Sequence, residues 1–265
     1  MLRRSDDTPA LCLYLSEPGR ALAELGLYSA ARPFALALPF GDGHPVLVLP
    51  GLLGDDVSTQ ALRSVLRRRG YAVHGWQLGR NVGPTAECLE GMRARLTHLR
   101  WRYDRPVSLI GWSLGGIYAR LLAREAPASV RQVITLASPF GMARRSQSRA
   151  HAAFERYSHL HVLPAELPVE RGKAALRVPA TAIYSRLDGI VDWRACIERS
   201  GPRSENIAVT ASHTGIGHHP ATIYAVADRL AQPEGTWSPF RPPPPMRWLF
   251  PRPDEPDQRP LPKAG

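Results

Sequence analysis

From about residue 45 to residue 230, short apolar runs alternate with longer stretches whose apolar residues recur every three or four positions. Few architectures accommodate that rhythm. Val46-Leu47-Val48-Leu49 is apolar at every position, as a strand buried on both faces must be, and it stops at the turn signal Pro50-Gly51. Further strands are predicted over 71–76, 106–110, 130–136, 180–184 and 206–210. Between them, helical spacing is predicted over 59–69, 84–101, 114–125, 193–198 and 220–230. Leu89, Met92 and Leu96 share one face of the second helix, Gly70 ends the first, and Pro220 opens the last. A βαβα order of this kind implies a mostly parallel central sheet with helices on both faces, an α/β fold.

The 265 residues suffice for one large core. The expected division is an N-terminal helical extension over 1–44, a core built from 45–139 and 177–232, an insertion over 140–176, and a proline-rich tail over 233–265. In the extension, residues 16–40 read as an amphipathic helix with Leu22, Leu25 and Leu27 packed on the body or lining a pocket. In the insertion the alternation breaks. That segment carries Arg144, Arg145, Arg149, Arg156 and Arg171 together with Phe154, Tyr157, Leu160, Val162 and Leu163. The tail, with Pro242 to Pro245 in a row, reads as extended, pinned at most through Trp248 and Phe250.

One run concentrates chemistry. Gly111-Trp112-Ser113-Leu114-Gly115 is a G-x-S-x-G pattern, preceded directly by the apolar strand 107–110 and followed by an apolar-periodic helix. That context, more than the pattern, makes Ser113 a candidate nucleophile at a sharp strand-to-helix turn. A serine hydroxyl needs a base to take its proton and a carboxylate to orient that base. In the chain order Ser, acid, His, the candidates are Asp188 and His213. Asp188 precedes Gly189 in the turn after the strand 180–184, whereas Asp192 is placed to cap the helix at Trp193. His213 directly follows the strand 206–210, whereas His218 and His219 sit just before the last helix as loop or capping residues. Two backbone N–H groups would hold the developing oxyanion, that of Leu114 and that of Leu52, with Leu53 the second choice in the loop Pro50-Gly51-Leu52-Leu53-Gly54.

At these motifs, over about 45–230, the chain resembles the α/β-hydrolase superfamily, especially its bacterial lipase and esterase-like members. The resemblance rests on Pro50 to Gly54, Gly111 to Gly116, Asp188-Gly189-Ile190-Val191 and Ser212-His213-Thr214-Gly215. It implies an α/β-hydrolase fold with a cap or lid at 140–176 and a serine hydrolase acting through an acyl-enzyme. The Ser-His-Thr-Gly turn is similar to the histidine turn of polyhydroxyalkanoate synthases. Those enzymes use cysteine at the nucleophile turn, so Ser113 favours hydrolysis over polymerisation. Many members carry His-Gly before the oxyanion loop; this chain has Pro50-Gly51, which leaves the support of that loop open.

The leading expectation is ester hydrolysis on a small-molecule or lipid ester. Acyl transfer or thioester hydrolysis by the same triad is the enzymatic alternative, and a non-catalytic binding protein on a hydrolase scaffold the third. No cofactor and no metal are expected, since His213, His218 and His219 lack helical ligand spacing and acidic or cysteine companions. The net charge of +11 is spread as short arginine runs with no nucleic-acid-binding motif, so no nucleic acid partner is expected. A membrane surface is compatible with residues 16–40 but not indicated. Three widely spaced cysteines, Cys12, Cys88 and Cys196, and the lack of a signal-like apolar segment point to the cytoplasm. Oligomeric state is not legible.

Overall fold

A computed structural model of the protein describes residues 8–31, 37–162, 174–199 and 201–254. Six strands form one wholly parallel sheet in the order β2-β1-β3-β4-β5-β6. They are β1 (Pro45–Leu49), β2 (Ala72–Gly75), β3 (Val107–Trp112), β4 (Val130–Leu136), β5 (Ala180–Ser185) and β6 (Ser204–Val209). The helices are α1 (Leu11–Ala30), α2 (Gln60–Arg68), α3 (Ala86–Tyr103), α4 (Leu114–Glu125), α5 (His151–Glu155) and α6 (Pro220–Leu230). Each strand and helix expected between 45 and 230 is present within a few residues, except that 193–198 forms a 3-10 turn, Trp193–Cys196.

Strand alternation divides the core. Val46 and Val48 point to one face and pack with α2 and α6 residues such as Leu62, Leu66, Ile223 and Val226. Leu47 and Leu49 point to the other and pack with Met92 and Leu96 of α3 and Ile117 and Tyr118 of α4. Both layers are needed because every residue of β1, β4 and β5 is buried. After β2 the chain crosses β1 to place β3 on its other side. Strand order therefore reverses between β1 and β3, and in open α/β sheets the crevice at the carboxyl ends of such strands is where ligands bind. The loop after β1 and the turn after β3 both open there.

Two features depart from the sequence reading. First, α1 does not bury its leucines: Leu22, Leu25 and Leu27 are exposed, and the residues it buries are Glu17 and Glu24. The helix turns its leucines outward against the hydropathy pattern, because its inward face is acidic and its glutamates are satisfied by hydrogen bonds. Second, the tail is docked through residue 254. Phe240 and Phe250 pack edge-on at 4.9 Å against each other, and Tyr224 of α6 lies 6.4 and 6.2 Å from their rings. The Asp254 carboxylate accepts hydrogen bonds from Tyr184 Oη (2.7 Å) and Arg186 Nε (2.8 Å). Trp248 takes no part and stays 79% exposed. Over 140–162 the insertion forms two 3-10 turns and α5, and it is tied to the loop after β5 by a bridge between Ser148 and Val191. Leu163 and Arg171 lie outside the described residues. Among the described residues no helix is long and apolar enough to cross a membrane.

Three histidines are held neutral in the fold. Burial depresses His44, His74 and His219 to about 4 each. An unfolded chain binds protons on them between pH 6.5 and 4 that the folded chain refuses, so stability is full above about pH 6.5 and falls as the pH drops toward 4. The fully buried His44 alone accounts for up to about 3 kcal/mol. Urea midpoints measured across that window should fall steadily, and His44→Gln should flatten the slope.

Candidate active site

The turn from β3 into α4 is the sharpest feature of the site. Ser113 holds φ 52° and ψ −119°, a conformation that a residue with a Cβ rarely adopts. Its N–H donates to Leu136 O (2.8 Å) and its carbonyl accepts from Ser138 Oγ (2.5 Å), so β4 and its following loop hold the turn in place. The glycines around it are required by contact. A Cβ at Gly111 would lie 2.3 Å from Gly115 O, and one at Gly115 would lie 2.3 Å from Leu49 O. The serine hydroxyl is thereby lifted above the sheet at the first turn of α4, whose N-terminal dipole favours negative charge.

The structure brings the sequence-selected residues together. His213 Nε2 lies 3.1 Å from Ser113 Oγ, and His213 Nδ1 lies 2.6 Å from Asp188 Oδ2. The other oxygen of Asp188 accepts the N–H groups of Ile190 and Val191, both at 2.8 Å, which fixes the carboxylate for His213. Asp192 faces elsewhere and caps the 3-10 turn through Arg194 N (3.1 Å). His219 occupies the N-cap position of α6, and His218 Nε2 meets Ala21 O of α1 at 3.3 Å. Trp112 braces the histidine loop: its Nε1 donates to His213 O (3.1 Å).

Burial alone would depress the His213 imidazole, but the Asp188 charge and hydrogen bond, with a smaller contribution from Glu17, outweigh it and hold the group above its ordinary value.

Leu52 and Leu114 flank Ser113, and among the described residues neither backbone N–H has a protein acceptor. Leu53 N–H is occupied, donating to Asn81 O at 2.7 Å. Asn81 is the residue sequence reasoning missed. It is fully buried; its Nδ2 donates to Pro50 O (2.9 Å), and its own N–H donates to Gly54 O (2.8 Å). The support that the Pro50-Gly51 departure left open comes from this asparagine. Nothing in Gly79 to Gly83 beyond an ordinary turn composition signals it.

Ser113 opens into a cleft of about 450 Å³, its open mouth included, walled by Leu52, Leu114, Ile117, Met142 and Phe154, with Arg145 and His151 at the rim. Both rim groups pair with Glu155 at 2.9 Å, so little free positive charge is left there. Arg149 is turned away to Pro9 O. A second cleft, lined by Arg131, Arg177 and Arg203, lies at the opposite ends of the strands, remote from Ser113. Among the described residues no cluster of histidine, cysteine, aspartate and glutamate could hold a metal.

No protein-family model and no curated protein sequence matches the chain. Solved structures do match it. Aspergillus fumigatus lipase B aligns over 74% of this chain with TM-score 0.57 and 18% identity, and the chain spans 55% of that lipase's length. A pyrethroid hydrolase from Sphingobium faniae aligns over 72% of this chain and 98% of its own length, with TM-score 0.52 and 19% identity. A metagenome-derived lipolytic enzyme aligns over 67% of this chain and 88% of its own, with TM-score 0.50 and 18% identity. Together with the sheet order, this likeness establishes the α/β-hydrolase fold.

The backbone at Ser113 offers a test that needs no substrate. Ser113→Gly removes the Cβ that makes φ 52° unfavourable. It should raise the thermal midpoint, by an amount corresponding to about 1 kcal/mol, whereas Gly115→Ala should lower it or prevent folding.

Proposed function

We propose that this chain, an α/β-hydrolase by fold, is a serine hydrolase that cleaves carboxylic esters through an acyl-enzyme. The observation that carries the reading is the unbroken contact from Ser113 Oγ through His213 to Asp188 at the floor of an apolar cleft. His213 Nε2 takes the Ser113 proton as Oγ bonds to the ester carbon, and the carbonyl electron pair moves onto oxygen. The N–H groups of Leu52 and Leu114 hold that oxyanion; each such donor is worth about 3 kcal/mol in related chemistry. Collapse expels the alcohol, which takes the proton from His213. Water, deprotonated by the same imidazole, then releases the acid and restores Ser113. Asp188 keeps the proton of neutral His213 on Nδ1 and stabilises the cation that forms. The steps require no cofactor.

The walls of the cleft suit an apolar acyl group on a small-molecule or lipid ester. We read residues 140–176 as a cap: Met142 and Phe154 are among the residues it contributes to the cleft wall, and Arg145 and His151 stand at the rim. The three cysteines are free, Cys12 exposed and Cys88 and Cys196 buried, which supports a reducing, cytoplasmic setting.

A fluorophosphonate probe should label Ser113, identified by peptide mass spectrometry, and labelling should disappear in Ser113→Ala. Turnover of p-nitrophenyl esters by a purified Ser113→Ala variant would overturn the mechanism. Asp188→Asn should lower kcat on the order of 10³–10⁴-fold. Because the base works neutral and His213 is held above the ordinary value of about 6.5, kcat/KM should rise with pH through a midpoint above 6.5.

A further inference from the structure

Helix α1 meets the two loops bearing Asp188 and His213 with its acidic edge. Glu17 and Glu24, two turns apart, are 3% and 7% exposed, while Leu15 and Leu22 on the opposite face are 69% and 70% exposed. Buried carboxylates are costly unless fully hydrogen-bonded, and these are. Glu17 Oε1 accepts the N–H groups of Gly189 (2.9 Å) and His213 (3.0 Å), and Oε2 accepts that of Thr214 (3.0 Å). Arg20 Nη2 adds a bond to Oε1 at 2.9 Å. Glu24 grips the neighbouring residue, accepting Ser212 N and Ser212 Oγ, both at 2.7 Å. Both loops are shaped for this approach. A Cβ at Gly189 would lie 2.6 Å from the backbone of Leu13, and one at Gly215 would lie 1.4 Å from Glu24 Oε2.

A single carboxylate thus spans the loop of the acid and the loop of the base. We propose that Glu17 is a positioning residue for the reaction: its carboxylate fixes the spacing of Asp188 and His213 and stands as a second negative charge behind the imidazole. The inference rests on the reading of Ser113, His213 and Asp188 as the reacting groups. The backbone bonds to Gly189, His213 and Thr214 restrict where the ring can sit. The charge favours the imidazolium that forms when His213 takes the serine proton, in the same sense as Asp188. The groups facing His213 are Ser113 from the turn, Asp188 from the loop after β5, and Glu17 with its partner Arg20 from α1. Glu24 acts one residue away through Ser212, His218 lies further along the same loop, and the neutral Trp112 indole binds the His213 carbonyl.

The substitutions Glu17→Gln and Arg20→Met push the charge in opposite directions. Glu17→Gln keeps the shape but removes the charge and turns an amide NH₂ toward one of the donors. The His213 titration, followed by NMR of its imidazole, should move down by up to about one unit. The acid limb of the pH profile should follow it, and kcat should fall about tenfold with little change in KM, since small misplacements of a reacting group are costly. Arg20→Met leaves Glu17 less compensated and should move the titration up. Glu17→Asp retains the charge on a shorter arm and should hold the titration near that of the parent while lowering kcat; it also decides the matter if Glu17→Gln does not fold. Parallel shifts in the Gln and Met variants, or a titration unmoved in both, would overturn the proposal. The NMR titration reads His213 whether or not any ester is turned over. A failure of Ser113 to react with the fluorophosphonate therefore counts against the esterase reading alone.

Discussion

At Ser113 the chain holds φ 52° and ψ −119°, a conformation that costs about 1–3 kcal/mol for a residue with a Cβ. It persists because its surroundings over-determine it. The N–H of Ser113 is bound by the end of β4 and its carbonyl by Ser138, and it is flanked by glycines at which a Cβ would clash with other backbone. Leu136 and Ser138 lie at the carboxyl end of β4 and Gly111 at that of β3, beside the place where strand order reverses. The loops after β1, β5 and β6 all open at the same edge, so the loops carrying Leu52, Asp188 and His213 converge on the Ser113 hydroxyl.

What the sequence discloses and what it conceals follow from the range of the interactions. The strands are legible because burial on both faces makes them continuously apolar, and α4 because its spacing is strict. Ser113, Asp188 and His213 are legible because each lies directly after a strand, in a turn whose glycine marks a local geometric need. Asn81 is hidden: its task is to bind Pro50 and Leu53, some thirty residues earlier, and a buried asparagine in a turn looks like any solvated one. The tail is half-hidden. Its prolines advertise an extended chain, but the docking of Phe240 and Phe250 on Tyr224 depends on α6 already being in place.

Helix α1 inverts the usual rule for an amphipathic helix. Its leucines face outward and its glutamates inward, so a hydropathy reading orients it backwards. The reason is the surface it meets. The loops around Gly189 and Ser212 to Thr214 present backbone N–H groups that no strand or helix satisfies, and an unmet buried donor costs about as much as a lost hydrogen bond. Two carboxylates answer five such donors, counting the Ser212 hydroxyl. The glycines at 189 and 215, read from sequence only as turn formers, also clear the space through which the helix approaches.

The fold contains a second serine, histidine and aspartate in contact, in surroundings that differ from those of Ser113. His44 Nε2 lies 2.9 Å from Ser108 Oγ, and His44 Nδ1 binds Asp42. The connectivity is the same as at Ser113. Yet Ser108 lies within β3 and is fully buried, so no carbonyl can reach it. The Asp42 carboxylate is shared with Arg105 (2.6 Å) and Arg131 (3.0 Å), and those guanidiniums cancel the charge that an imidazolium would need. Burial together with the arginines drives His44 down to about 4, so it stays neutral and serves as a structural hydrogen-bond link. His213 faces the reverse balance, with Asp188 and Glu17 near it and a single arginine held behind Glu17. Hydrogen-bonded contact among the three residue types is therefore common to both places. A strained turn that exposes the hydroxyl, and an excess of negative charge behind the imidazole, separate the candidate active site from its buried counterpart.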